Sequence, residues 1–207
     1  MHLTRSELTK KIPVPRKGTK YIARAFSDLE NSVPVVVAVR DMLKLARTSK
    51  EVKEMIKQKL LKINGREVTD VHESIALFNI FSADKSYILT YSKTGKFNLE
   101  EYSKQDRPCK VINKTLFKKG KIQINLHEGH NLITDKKINP GDTVYLDPAG
   151  KIAKHISFEK GKKCFITSGK YIGREGLIES INGNKTTIKI EDIETAITID
   201  KKGVVLI

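Results

Sequence analysis

The stretch GKYIGREGLIES, residues 169–180, sets three glycines beside a lysine, a tyrosine and an arginine, and it runs straight into apolar sequence. These residue types suit contact with a polyanion. Lys170 and Arg174 can neutralise phosphates, Tyr171 can stack or pack, and glycines at 169, 173 and 176 permit positive φ angles and close backbone approach. The same pattern also describes a hairpin turn with ordinary surface cations, and the residues alone leave both open. Gly173-Arg174-Glu175-Gly176 spells GxxG, the clamp of a KH domain. That clamp joins helices, whereas this loop lies between two strand-like runs.

Other constellations carry less chemistry. His127 and His130 in HEGH stand three residues apart, but a structural zinc site draws on closely paired ligands, and Cys109 and Cys164 have no nearby partner. They read as a turn with surface histidines and two core thiols. Neither a Walker A string nor a GxGxxG following a strand occurs. Asp142 and Asp147 flank turns and strands, and nothing gathers carboxylates around a substrate. No catalytic residue, cofactor, metal or small-molecule substrate is expected.

The balance of charge points the same way. Among 207 residues, 39 Lys and Arg face 24 Asp and Glu, a net charge of +15 that favours a polyanionic partner, nucleic acid first. The longest apolar run, VPVVVAV at 33–39, is followed at once by Arg40 and Asp41 and is far short of the ~20 residues of a membrane span. No membrane partner is expected. The start, MHLTRSELTKK, has no apolar signal core, so export is not expected and a reduced, cytoplasmic setting fits.

The elements that must position these residues fall into segments of different character. Residues 1–33 carry Arg5, Lys10, Lys11, Arg16 and Lys17 with two prolines and little apolar periodicity, which reads as a basic arm that orders on RNA or else as a disordered solubilising tail. From 34 to about 92, helical patterns come first. Pro34 suits a helix start, and from Val35 to Arg47 the cations Arg40, Lys44 and Arg47 recur on one stripe beside Val39, Leu43 and Ala46. Thr48 and Glu51 resemble a capping box for a second helix, with Val52, Met55, Ile56 and Leu60 on its apolar face and Lys50, Lys53 and Lys57 on another. The acids Asp41, Glu51 and Glu54 are expected off the cationic stripes, which favours an RNA-facing surface. In LLKINGREV, Asn64-Gly65 signals a tight hairpin, followed by Arg66.

From about 93 onward the pattern is β. KIQINL (121–126), DTVYLD (142–147), KCFITS (163–168), EGLIESI (175–181), KTTIKI (185–190) and TAITI (195–199) alternate, separated by turns such as KKGK, NPGD, PAGK and INGN. Short strands at this spacing predict small barrels, so the expected class is α+β and multi-domain. No helical crossover of a nucleotide-binding layer is present in the pattern.

Together these stretches resemble a known family. GKKCFITSGKYIGREGLIESI is similar to the KOW motif of a small SH3-like barrel. AVRDMLKLARTSKEVKEMIKQKLLKINGREVTD resembles the helix–helix–hairpin RNA-binding domain named after bacterial ribosomal protein S-four. GKIQINLHEGHNLI and INPGDTVYLDPAGKIAKHISFEKG resemble the central region of the archaeal and eukaryotic small-subunit ribosomal protein S-four-e family, and HLTR at 2–5 is similar to its start. Three local departures stand out: no tryptophan in the arm, VHESIALFNIFS in place of a Pro-Gly-containing stretch, and His130 where arginine is commoner.

The resemblance implies a basic arm at 1–33, an S-four-type RNA-binding domain at 34–92, a central β domain at 93–155 and a KOW SH3-like barrel at 156–207. It implies an archaeal-type, non-enzymatic constituent of the small subunit in the cytoplasmic ribosome, which supports assembly and translation. Its partners would be small-subunit ribosomal RNA and neighbouring ribosomal proteins. The residues expected at the RNA are Arg5, Lys10, Lys11, Arg16, Lys17, Arg40, Lys44, Arg47, Lys50, Lys53, Lys57, Arg66, Lys170, Tyr171 and Arg174. A KOW-containing transcription elongation factor and an RNA-modification accessory protein are the alternatives.

Overall fold

The computed structural model describes residues 2–116, 121–190 and 196–207, and the chain divides into two compact units between Gln105 and Asp106.

In the first unit His2–Thr4 (β1) pairs antiparallel with Tyr21–Ala23 (β2). The basic segment is thus built into the fold: Ile12, Ile22 and Ala25 are buried, and the Phe97 amide donates to the Lys11 carbonyl at 2.7 Å. Its buried positions are single residues among polar ones, so they show no helical or strand period.

Ser32–Pro34 (β3) leads into a three-residue helical turn, Val35–Val37 (α1), which continues as a π-helical turn, Ala38–Met42. Every residue from Val35 to Val39 is at most 2% exposed, which explains an apolar run with no amphipathic period. The helix expected to reach Arg47 stops at Met42, because Lys44 takes a left-handed backbone with φ 58°. Arg40, Lys44 and Arg47 therefore do not share a helical stripe.

Ser49–Lys57 (α2) forms where the capping pattern places it. The Thr48 hydroxyl oxygen accepts the Glu51 amide at 3.3 Å, and the Glu51 carboxylate accepts the Thr48 hydroxyl and the Arg47 amide. Val52 is fully buried and Met55 and Ile56 are partly so. Leu60, counted in the same face, is half-exposed because α2 has ended before it.

Lys62–Ile63 (β4) and Arg66–Glu67 (β5) form the expected hairpin, with Asn64 and Gly65 at φ 51° and 83°, as a tight turn with two left-handed residues requires. Ser74–Ala76 (β6) pairs with β3. Ile80–Ser82 (β7), Ser86–Tyr91 (β8) and Phe97–Glu101 (β9) complete a sheet in the order β5-β4-β7-β8-β9. The strands β6, β7 and β8 have no counterpart in the sequence reading. Tyr87 to Tyr91 are all buried, and a strand covered on both faces loses the alternation that reveals it. In the VHESIALFNIFS stretch Phe78 turns the chain in a left-handed conformation, φ 65°, which glycine adopts without strain.

The second unit holds two five-stranded antiparallel sheets. Arg107–Leu116 (β10), Ile122–Leu126 (β11), Asn131–Thr134 (β12), Thr143–Leu146 (β13) and Ile152–Ile156 (β14) stand in the order β12-β11-β10-β13-β14. Cys109, Val111, Ile124, Leu126, Val144 and Leu146 form their core with Ile138. Lys163–Ile166 (β15), Glu175–Asn182 (β16), Lys185–Ile190 (β17), Ala196–Asp200 (β18) and Val204–Leu206 (β19) stand in the order β18-β17-β16-β15-β19. Their core is Cys164, Ile166, Ile178, Ile188, Ile190, Val204 and Leu206. Each alternating run of the sequence overlaps one of these strands, while β10, β12, β14 and β19 match none of them. The KKGK turn at 118–121, apart from Lys121, and Thr195 of the last run lie outside the described residues.

Side chains fix the turns of this unit. Asp142, from NPGD, accepts the amides of Asn139 and Phe158, both at 2.9 Å, and lies 2.9 Å from His155 Nε2. The HEGH turn is not a free surface turn. Glu128 points inward, 2% exposed, to an ion pair with Arg107 and to the Cys109 thiol, which donates at 2.7 Å. His127 is half-buried and its Nδ1 accepts the Lys110 amide, which directs its proton to Nε2.

Both cysteines are free and fully buried. Burial raises both thiols, Cys164 to about 12, so neither is a thiolate at neutral pH. Iodoacetamide at pH 8 is expected to leave both unmodified in the folded protein and to modify both in denaturing urea, as mass spectrometry will register. Rapid labelling of either without denaturant would contradict the buried placement.

Candidate nucleic-acid interface

In the basic segment the cations divide by what already holds them. Arg5 staples the 15–19 loop: its guanidinium donates to the Pro15 carbonyl, to the Thr19 carbonyl at 2.7 Å and to the Thr19 hydroxyl at 3.1 Å. Lys11 is an internal group. Its ammonium donates to Asn31 Oδ1 at 2.9 Å and the Tyr91 hydroxyl at 3.2 Å, and burial lowers its pKa against the pull of Glu30 and Asp28. Lys10, Arg16 and Lys17 are exposed. A cleft of about 680 Å³ brings Arg5, Lys10 and Arg16 together with Lys96, from the turn before β9.

The helical region divides likewise. Arg40 makes a two-point pair with Asp41, at 3.0 and 2.8 Å, and this hydrogen-bonding raises its pKa further. Arg66 is paired with Glu73. The acids are thus not all displaced from the cations: Glu54 also lies 3.4 Å from Lys57. That last pair is solvent-exposed on both sides and holds little of the lysine's charge back. Lys44, Arg47, Lys50, Lys53 and Lys57 remain exposed. Of these, Lys50, Lys53 and Lys57 recur along one side of α2 at three- and four-residue spacing.

The 169–174 loop joins β15 to β16. Its closure is backbone work: the Gly173 amide donates to the Ile166 carbonyl at 2.9 Å and the Ile166 amide to the Arg174 carbonyl at 3.0 Å. Gly169 and Gly173 have φ 84° and 82°. Gly176 serves differently, since a Cβ there would stand 2.6 Å from the Lys189 carbonyl oxygen of β17. Tyr171 packs one side on the sheet's core, while Lys170 Nζ and the Arg174 guanidinium carbon lie 5.8 and 6.0 Å from its ring centroid. An aromatic face bracketed by two cations can hold a base and its flanking phosphates.

Some cations went unnoticed in the sequence. Lys96 is one. Lys154 is another, 5.5 Å from the Tyr145 ring; the two are register partners across β13 and β14, and such pairs become legible only when strand register is known.

Among the described residues no helix is long and apolar enough to cross a membrane, and no group of three His, Cys, Asp or Glu side chains could hold a metal ion.

Comparison with known proteins places the fold. Residues 83–152 match the family described as Ribosomal family S4e, and 160–191 match the KOW motif. The small ribosomal subunit protein eS4 of Methanospirillum hungatei is 32% identical over 189 residues, covering 86% of this chain and 78% of that protein. This chain belongs to the S4e ribosomal protein family. The eS4 protein of Methanocaldococcus jannaschii is 31% identical over 83% of this chain and 78% of its own length. The crystal structure of 30S ribosomal protein S4e from Thermoplasma acidophilum superimposes with a TM-score of 0.74 at 25% identity, covering 86% of this chain and 95% of that one. Membership makes this S4e protein a structural ribosomal protein and not an enzyme. Its architecture is mostly β, with a KOW domain near its end.

Proposed function

We propose that this S4e protein is a structural constituent of the small ribosomal subunit, which binds ribosomal RNA through exposed cationic surfaces and supports subunit assembly and translation beside neighbouring ribosomal proteins. The observation that carries this reading is the likeness, over most of the chain, to archaeal proteins that bear the small-subunit name. The charge of +15 supplies the means, because cations that displace counterions from RNA phosphates bind it whatever its sequence.

In this reading residues 1–33 act as a basic arm, 34–92 as an S-four-type RNA-binding domain, 93–155 as a central β domain and 156–207 as the KOW barrel. The groups at the RNA are those without a strong internal partner: Lys10, Arg16, Lys17, Lys44, Arg47, Lys50, Lys53, Lys57, Lys170, Tyr171 and Arg174. Arg5, Lys11, Arg40 and Arg66 shape the surfaces that carry them.

Sucrose-gradient sedimentation of lysate, with the chain probed in each fraction, tests the role. The chain is expected to travel with small subunits and stay there through a high-salt wash. Migration with RNA polymerase, or at the top of the gradient, would instead favour a KOW-type transcription factor.

A further inference from the structure

At the far end of the terminal sheet lies a cationic cleft that the Tyr171 loop does not reach. β16 runs eight residues from Glu175 to Asn182 with a bulge at Ile178–Ser180, and at ~3.3 Å per residue the Gly183-Asn184 turn lies up to about 25 Å along the strand from that loop. Beside the turn is a cavity of about 420 Å³ whose lining includes Lys110, Ile112, His127, Asn184, Lys201 and Lys202 and, among the described residues, no acidic one. Its volume falls in the ~300–1,000 Å³ range of small-ligand sites and admits one nucleotide.

The cations here are held in place. Lys110, 6% exposed, donates its three ammonium hydrogens to the carbonyls of Lys201 at 2.5 Å, Lys202 at 2.9 Å and Val204 at 2.5 Å. It is therefore the floor of the cleft and not a ligand group, and it fixes the short turn Lys201–Gly203 that bears the other two lysines. The Lys201 stem lies across Gly141, where an added Cβ would stand 2.0 Å from its Cε. Its ammonium sits 4.6 Å from the Phe158 ring centroid. A glycine that leaves room and an aromatic face that holds the charge together set where Lys201 points. Burial, and then repulsion by Lys201, pushes the Lys110 ammonium down to about 8. An anion in the cleft would relieve that repulsion.

We infer that this cleft seats the phosphodiester of a looped-out RNA nucleotide, with Lys201 and Lys202 on the phosphate oxygens and Asn184 offering its amide to the ribose or base. The inference rests on the reading that the chain binds ribosomal RNA, and it adds a second anchor at the opposite end of the terminal sheet. Two anchors at opposite ends of β16 would fix the direction in which the RNA crosses the sheet, which one loop cannot do.

Lysine acylation footprinting of the full chain, free and bound to small-subunit ribosomal RNA, tests it by mass spectrometry. Lys201 and Lys202 are expected to be protected at least fivefold on binding. A Lys201→Gln/Lys202→Gln variant is expected to reduce the slope of log affinity against log salt by about 1.4, at ~0.7 per phosphate contact. Lys110 stays unlabelled wherever this unit is folded, so a misfolded variant identifies itself, and the footprint of the unaltered chain still decides. Binding with Lys170 protected but Lys201 and Lys202 as reactive as in the free protein overturns the cleft and leaves the RNA reading standing. Absence of any RNA binding by the unaltered chain overturns both.

Discussion

Replacing Arg107 by methionine is expected to destabilise the second unit by about 3–5 kcal/mol, the usual cost of removing one member of a buried ion pair. The Arg107 and Glu128 side chains are 7% and 2% exposed. After the change, a carboxylate that cannot reach water exchanges its guanidinium partner for what the Cys109 thiol, a weak donor, can give it. The damage reaches further than one contact, because Glu128 anchors the turn between β11 and β12 to the start of β10. Urea unfolding, read through amide exchange in β10 to β14, measures the loss. The double variant Arg107→Met/Glu128→Leu is expected to recover most of it, since apolar groups of similar volume often replace a buried pair at little cost. A loss below about 1 kcal/mol in the single variant would mean the pair is more hydrated than its burial indicates.

Glu128 also shows where the sequence stops being informative. HEGH reads as a surface turn because glycine and two histidines mark the bend. Which of its side chains turns inward depends on Arg107 and Cys109, nineteen or more residues away in sequence. The second unit was the most legible part, since strands such as β17 bury every second residue, and alternation reports that directly. The first unit hid its strands for the opposite reason: β8 is covered on both faces. The helix beginning at Val35 was legible at its start and not at its end. Nothing in the type of Lys44 announces a left-handed backbone.

The candidate interface was legible as a set of cations and illegible as a set of partners. Composition cannot tell Lys11, whose ammonium is bonded inside the fold, from Lys10, which is exposed. Spacing on a real helix can. Lys50, Lys53 and Lys57 keep the three- and four-residue spacing that places them side by side, and α2 is where the sequence set it. Arg40 shows the contrast, since its neighbour Asp41 claims both ends of its guanidinium fork.

That contrast yields the second prediction of large effect. Changing Lys50, Lys53 and Lys57 together to glutamine is expected to reduce the slope of log RNA affinity against log salt by about 2, at ~0.7 per phosphate contact. If the two proteins bind alike near 1 M salt, the same slope difference makes the variant about 100-fold weaker at 0.1 M. Arg40→Gln removes one formal charge but one already compensated by Asp41, so its slope should stay close to that of the unaltered chain. Filter binding to small-subunit ribosomal RNA across a salt series measures all three. Because the three lysines are exposed and their side chains are not part of the core, the fold should survive, which circular dichroism checks. An unchanged slope in the triple variant would mean that α2 faces solvent or a protein neighbour, and that the RNA is held by the arm and the KOW end instead.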